Sequence, residues 1–323
     1  MLNWGIIGCG DVTEVKSGPA FNKVNGSKLV AVMRRNAEKA RDYASRHRVP
    51  KWYADADELI NDDEVNAIYI ATPPLHHEAY TLRALAAGKP VYVEKPMAMN
   101  AGEAARMKEA SERSGTLLSV AHYRREQPLF REVKRLLLEQ AIGELRLVKL
   151  TLFQPHQSKL ITQTDDNWRV NEAVAGGGLF HDLAPHQLDL MLHFLGDPVV
   201  VKGTSLNAGG YYGVPDTVAA HIQFNNHLLL SGTWSFVVNE AARADRCDII
   251  GENGTISFAV FEHQQLTVTI NGKTTVTEFG KLEHVQQPMI ARVVDYFSGK
   301  GPNPCSAEDG VKVMEMIDRI TAR

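Results

Sequence analysis

The first 121 residues alternate short, almost unbroken apolar runs with helix-forming stretches, and this alternation constrains the fold more than any other feature. The runs are Leu2–Ile7, Lys28–Met33, Asn66–Ala71, Pro90–Val93 and Thr116–Ala121. Helical signals fill the gaps: one from the first glycine turn to Val24, then Ala37–His47, His76–Ala87 with Gly88 as its stop, and Ala101–Ser114. A strand that is apolar along its whole length must be buried on both faces, and helices between successive strands provide the cover. The pattern therefore predicts a doubly wound parallel sheet.

The pattern changes after residue 122. Gln127–Gln140 reads as one amphipathic helix, and from Leu145 the strands lengthen and alternate apolar with polar residues. Asn225-Asn226, Asn253-Gly254 and Asn271-Gly272 are turns that join antiparallel neighbours. A helix over Leu179–Leu195 follows Gly176-Gly177-Gly178, and helices over His284–Phe297 and Ala307–Ile320 close the chain. With 323 residues, 44% of them hydrophobic, the chain exceeds what one core usually holds. The expectation is an α/β Rossmann domain over 1–122 and an α+β domain with a mainly antiparallel sheet over 123–323.

Net charge is −3, with no basic stripe to hold nucleic acid. No apolar stretch approaches the ~20 residues of a membrane helix, and no secretory leader is evident. Cys9, Cys247 and Cys305 are an odd count without CxxC spacing, which suits a reducing cytosol and argues against a cysteine zinc site. These readings predict a cytoplasmic protein with neither nucleic-acid nor membrane partners.

Gly8-Cys9-Gly10-Asp11-Val12-Thr13 follows the first strand and opens a helix. The first glycine permits a tight turn. The second lets main chain approach a pyrophosphate, which would lie at the helix start beside Asp11 and Val12. Thr13 occupies the third-glycine position. The second strand ends Val32-Met33-Arg34-Arg35-Asn36, where an NAD site usually places a carboxylate for the ribose 2′-hydroxyl. Arg34 and Arg35 with no acid favour a 2′-phosphate, hence NADP, with NAD as the alternative. Two solvated surface arginines are the competing reading.

Glu94-Lys95-Pro96 directly follows the run Pro90–Val93, so Lys95 stands at a carboxyl edge of the sheet, where open α/β sheets bind ligands. Glu94 is placed either to orient Lys95 or to contact the nicotinamide ribose. Thr72-Pro73-Pro74 ends another strand and precedes His76 and His77. Asp182, His186, Asp189 and His193 share one helical face. Three readings stay open for that face: ordinary polar packing, a divalent-metal site, or acid–base chemistry in which Asp182 orients His186. The metal reading lacks a recognisable motif, and Asp189 and His193, one and two turns on, are expected to be structural. Tyr123-Arg124, after the last strand of the first domain, and Trp168-Arg169 are candidates for substrate contact.

Taken in order, Gly8-Cys9-Gly10, Thr72-Pro73-Pro74-Leu75-His76-His77, Glu94-Lys95-Pro96 and the glycine-led stretch from Gly176 to His186 resemble the Gfo/Idh/MocA oxidoreductases across nearly the whole chain. The resemblance implies that Lys95, Asp182 and His186 form the catalytic set. It further implies that Thr72 and Pro73 contribute to the nicotinamide pocket and that His77 and Arg124 are the matching family residues. Pro74 departs from the family's frequent asparagine. An open-faced sheet used for dimer or tetramer contacts is implied as well. The expected activity is NADP-dependent hydride transfer to or from a sugar, polyol or related hydroxy or carbonyl compound. A non-catalytic dinucleotide-sensing regulator on the same fold is the alternative, against which the intact Lys95, Asp182 and His186 argue. Specificity is expected to depend on loops around Phe153–Arg169 and Gly209–Pro215.

Overall fold

The computed structural model describes residues 1–158, 160, 167–262 and 264–321. The chain folds into two compact units, Met1–Gln127 with Leu282–Met314, and Pro128–Lys281 with Glu315–Arg323.

The first unit is built on six parallel strands: β1 (Leu2–Ile7), β2 (Ser27–Met33), β3 (Lys51–Tyr53), β4 (Ala67–Ile70), β5 (Val91–Val93) and β6 (Leu118–Val120). Their spatial order is β3-β2-β1-β4-β5-β6. The order reverses between β1 and β4, which makes the carboxyl ends of those two strands the switch point where such sheets open a crevice. Every residue of β4, β5 and β6 is buried. Each large aliphatic side chain placed there contributes about 1.5–3 kcal/mol.

One expected helix, from the glycine turn to Val24, is two pieces: an α-helical turn over Asp11–Val15 and a 3-10 turn over Gly18–Asn22. The break comes where Gly18 is pressed so closely that a Cβ there would lie 2.3 Å from both the Thr13 carbonyl oxygen and the Tyr43 hydroxyl. A short strand, β3, and the helix Ala56–Ile60 also occupy a stretch to which the sequence pattern assigned nothing.

The single cut expected near residue 122 differs from the observed division, because Leu282–Met314 groups with the first unit. Three contacts explain why. Phe297, ending the helix Gln287–Phe297, stacks on Trp4 of β1 at 5.7 Å. Asn303 donates to the Leu118 carbonyl at 2.9 Å. Ser119 donates to the Cys305 carbonyl at 3.1 Å.

The second unit carries eight strands: β7 (Leu145–Phe153), β8 (Pro198–Leu206), β9 (Thr217–Phe224), β10 (Leu229–Ser235), β11 (Ala244–Gly251), β12 (Gly254–Phe258), β13 (Gln265–Ile270) and β14 (Lys273–Glu278). They pair in the order β14-β13-β12-β11-β7-β10-β9-β8, antiparallel except for β7 with β10. Val218, Ala220, Ile222 and Phe224 of β9 are buried while Ala219, His221 and Gln223 between them are exposed, so one face of the sheet is covered and the other is open. The helix Gly178–Leu195 packs on the covered face, where Phe180 meets Trp234 edge-on and Gln187 accepts from the Trp234 indole at 2.7 Å. Among the described residues no helix is long and apolar enough to cross a membrane.

Candidate active site

In the first unit the candidate groups stand at the carboxyl ends of β1, β2, β4 and β5. Gly8 leaves β1 with φ +96, and a Cβ there would lie 2.8 Å from the Thr72 main-chain nitrogen and 2.9 Å from the Ala71 carbonyl carbon. Only glycine satisfies both the backbone conformation and this close approach of the β4 end. Gly10 is different: it is extended (φ −136, ψ −156), and a Cβ there would meet nothing nearer than the Gly8 carbonyl oxygen at 4.0 Å. The second glycine therefore faces open space, the cradle that main chain needs to approach a phosphate, and the residues fit a dinucleotide. Asp11 and Val12 follow it at the start of the helical turn, and no side chain caps that start. Cys9 between the glycines is buried, and burial pushes its thiol up to about 11, leaving it inert.

At the end of β2, Arg34 is half-buried and donates to the Cys9 carbonyl across the turn at 3.3 Å. Arg35 is exposed. His76 is held below its usual range, first by burial and then by the positive charge of Arg35, so the cation at the end of β2 favours a neutral imidazole beyond the end of β4. No carboxylate stands at Arg34 or Arg35. Asn36 turns inward on the next helix, capping Ala37–His47 through Lys39 N–H at 2.9 Å.

His77 is fully buried, its Nε2 facing the Thr72 carbonyl at 2.7 Å and its Nδ1 the Pro96 carbonyl at 2.9 Å. It ties the loop after β4, with Thr72 and Pro73, to the loop after β5. With both nitrogens facing main-chain carbonyls, to only one of which the neutral ring can donate, it can shape a cofactor pocket only through those loops. Burial pushes the imidazole down to about 4, while the two carbonyls act in the opposite direction.

Glu94 also points inward. Its Oε1 accepts from Tyr69 Oη at 2.5 Å and from Gln286 Nε2 at 2.6 Å, and its Oε2 accepts the main-chain N–H of Lys95 at 3.1 Å. Lys95 itself is half-buried and precedes a cis peptide to Pro96. Of the two roles the sequence allows Glu94, orienting Lys95 is the one for which the contacts are visible. Tyr123 and Arg124 lie in the 3-10 turn Tyr123–Glu126 after β6, both buried, with the guanidinium 5.5 Å from the phenol ring centre.

In the second unit the glycine run positions the helix bearing Asp182 and His186. Gly178 has φ +77 and is covered by Val214, and the His181 ring lies over Gly177, where a Cβ would meet it at 2.0 Å. Asp182 and His186 follow one and two turns later, Asp182 partly accessible and His186 buried. Two candidates picked separately from the sequence meet here. Arg169 donates through Nε to Asp182 Oδ2 at 3.2 Å, and its guanidinium lies 4.4 Å from the Trp168 ring centre. The His186 ring meets Phe261 edge-on at 5.6 Å. Phe261 is held in turn by Asp245, whose carboxylate accepts the main-chain N–H groups of Val260, Phe261 and Glu262. Asp189 is buried, and His193 offers its carbonyl to Lys134.

The two loops expected to govern specificity meet in the same unit: His156 stacks on Tyr211 at 3.9 Å. Asp216 fastens the second loop by accepting from Ala208 N–H at 2.9 Å, Gly209 N–H at 2.8 Å and the Thr217 hydroxyl at 3.0 Å. Burial, with Asp216 second, pushes the Tyr212 phenol up to about 12. Part of the first loop, 161–166, lies outside the described residues. No group of three or more His, Cys, Asp or Glu among the described residues is gathered as a metal would require.

Tyr69, Gln286, Asp245 and Asp216 carry no motif, and sequence reasoning passed over them. Gln286 is 192 positions from Glu94, and no local pattern pairs the two.

Residues 2–122 match the family model described as oxidoreductase family, NAD-binding Rossmann fold, and residues 130–257 match the GFO/IDH/MocA C-terminal domain. The chain is 45% identical to an oxidoreductase of Formosa agariphila over 98% of this chain and 97% of that one. It is 30% identical to a 1,5-anhydro-D-fructose reductase of Ensifer adhaerens over 71% of this chain and 68% of that one. Among solved structures, an aldose-aldose oxidoreductase from Caulobacter crescentus complexed with glycerol superposes with a TM-score of 0.87 at 22% identity, covering 99% of this chain and 96% of that one.

Proposed function

The chain belongs to the GFO/IDH/MocA oxidoreductases, and from that premise we propose that it is an NADP(H)-preferring enzyme that reversibly oxidises a carbinol carbon of a sugar, polyol or related compound. Bound NADP(H) supplies the hydride acceptor or donor. In oxidation that group would take up the hydride of the carbinol carbon, and His186 would take the hydroxyl proton. The Lys95 ammonium donates to the reacting oxygen, stabilising the alkoxide in one direction and polarising the carbonyl in the other. Asp182, anchored by Arg169, holds His186 for that transfer. Trp168 and Arg169, with Tyr123 and Arg124, are proposed to contact substrate. Thr72, Pro73 and His77 are proposed to form or support the nicotinamide pocket.

The observation that carries the reading is the placement of Lys95. It follows β5 in the sheet whose first strand ends in the open Gly8–Gly10 turn, and its main-chain N–H is pinned by the buried Glu94. A sugar-like substrate is supported by the relative named for 1,5-anhydro-D-fructose. The NADP preference rests on Arg34 and Arg35 with no acid beside them. We place the protein in the cytoplasm as a homodimer or homotetramer formed over the open sheet face, where Val200, Leu206 and Val276 are exposed.

Fluorescence titration with NADPH and NADH tests the cofactor. NADPH should bind at least about tenfold tighter, some 1.4 kcal/mol, and Arg34→Asp should reduce or invert that ratio. Equal affinities in the wild type would end the NADP argument. NADPH oxidation with 1,5-anhydro-D-fructose and a panel of aldoses tests the activity. Tight dinucleotide binding with no turnover of any of them would favour the regulator.

A further inference from the structure

The buried side chains behind Lys95 form hydrogen bonds that converge on Glu94. Tyr92 Oη donates to Gln286 Oε1 at 3.3 Å, which leaves the Gln286 amide nitrogen to donate to Glu94 Oε1 at 2.6 Å. Tyr69 Oη donates to the same oxygen at 2.5 Å and lies 3.1 Å from Ser17 Oγ. Ser17 in turn donates to the Val12 carbonyl at 3.3 Å, in the helical turn that follows Gly10. Glu94 Oε2 is left to receive the Lys95 main-chain N–H. Tyr69, Tyr92, Ser17 and Gln286 are all buried, so solvent does not compete for these bonds. The approach of Gln286 is itself fixed. Its main-chain N–H donates to the Lys16 carbonyl at 3.1 Å, and His284 Nδ1 lies 2.6 Å from the Val15 carbonyl.

A carboxylate that receives two side-chain donors on one oxygen cannot rotate, so its other oxygen is fixed in space, and with it the main chain at Lys95. We propose that Gln286 and Tyr69 are positioning residues that act through Glu94 to aim Lys95, and that the Leu282–Met314 segment returns to the first unit partly to deliver Gln286. The proposal rests on the catalytic reading of Lys95.

The experiment reads Lys95 directly and needs no substrate. Trace labelling of lysines with acetic anhydride, followed peptide by peptide by mass spectrometry, gives the reactivity of Lys95 relative to the exposed Lys28 and Lys39. In Gln286→Leu, and to a smaller degree in Tyr69→Phe, the relative reactivity of Lys95 should change by at least about threefold while NADPH affinity stays within about threefold. Where 1,5-anhydro-D-fructose or an aldose is turned over, kcat should fall by about tenfold or more, and Gln286→Leu should cost nothing further once Lys95 is alanine. Unchanged Lys95 reactivity in both folded variants overturns the proposal, as does a Gln286→Leu loss that persists in full beside Lys95→Ala. Should Gln286→Leu fail to fold, the isosteric Tyr69→Phe decides alone. If Lys95→Ala itself keeps full turnover, the catalytic reading of Lys95 has failed, and the labelling result still judges the positioning separately.

Discussion

Replacing Gly8 or Gly10 by alanine perturbs the same turn in opposite ways, and the structure sets both magnitudes. At Gly8 the added Cβ must adopt φ +96 and lies 2.8 Å from Thr72 N. The left-handed backbone costs about 1–2 kcal/mol. Carbon contacts are comfortable only at about 3.5–4.0 Å, and the obstructing atoms are main chain that cannot swing aside, which adds roughly 1–3 kcal/mol. The sum, about 2–5 kcal/mol, should lower the unfolding midpoint of the first unit by roughly 5–15 °C in the absence of any ligand. At Gly10 the backbone is extended and the nearest atom to an added Cβ is 4.0 Å away. Stability should be unchanged or raised by about 0.4–1 kcal/mol through the unfolded chain. The methyl would instead occupy the space in which a phosphate oxygen must come within about 2.9 Å of main-chain N–H. NADPH affinity should drop by at least about tenfold, some 1.4 kcal/mol. Thermal unfolding of the ligand-free variants and fluorescence titration with NADPH separate the two effects. A Gly10→Ala protein that binds NADPH as well as wild type would refute the placement of the dinucleotide at this turn.

Lys95→Ala should lower kcat/KM by roughly 10²–10⁴ with little change in NADPH affinity; collapse of cofactor binding with turnover intact at saturation would make Lys95 a cofactor ligand instead. If His186 is the base, kcat/KM for oxidation should fall as pH is lowered, and His186→Ala should remove both that inflection and most of the rate. An unaltered pH profile in His186→Ala would assign the proton to another group. His77 is neutral in the fold because burial holds its imidazole down to about 4, whereas in the unfolded chain it protonates at its ordinary value of 6.5. The unfolded state therefore takes up the extra proton as pH falls from 6.5 towards 4, and stability is lost over that window by at most about 3 kcal/mol. Denaturant titrations of wild type and His77→Gln across the window should show a shallower slope in the variant, and identical slopes would remove His77 from the acid response.

Local chemistry made the two architectures and most candidate side chains legible before any coordinates. Continuous apolar runs between helices dictate a parallel sheet, and alternation with asparagine-containing turns dictates the antiparallel one, because burial on two faces or on one is written residue by residue. The glycine turn, Lys95, Asp182 and His186 were visible for the same reason: each occupies a fixed offset from a strand end or a helix start. Which side chains hold those groups in place was settled only by tertiary structure. Gln286 reaches Glu94 from 192 residues away, Arg169 pairs with Asp182 across the short helix Glu172–Ala175, and Asp245 clamps Phe261 against the His186 ring. His77 shows the same division. Its place after the Thr72-Pro73-Pro74 turn was plain in the sequence, but the main-chain carbonyls that face its two ring nitrogens were not. Such partners are chosen by the three-dimensional meeting of distant segments, and a buried polar group accepts whichever donor the fold brings to it.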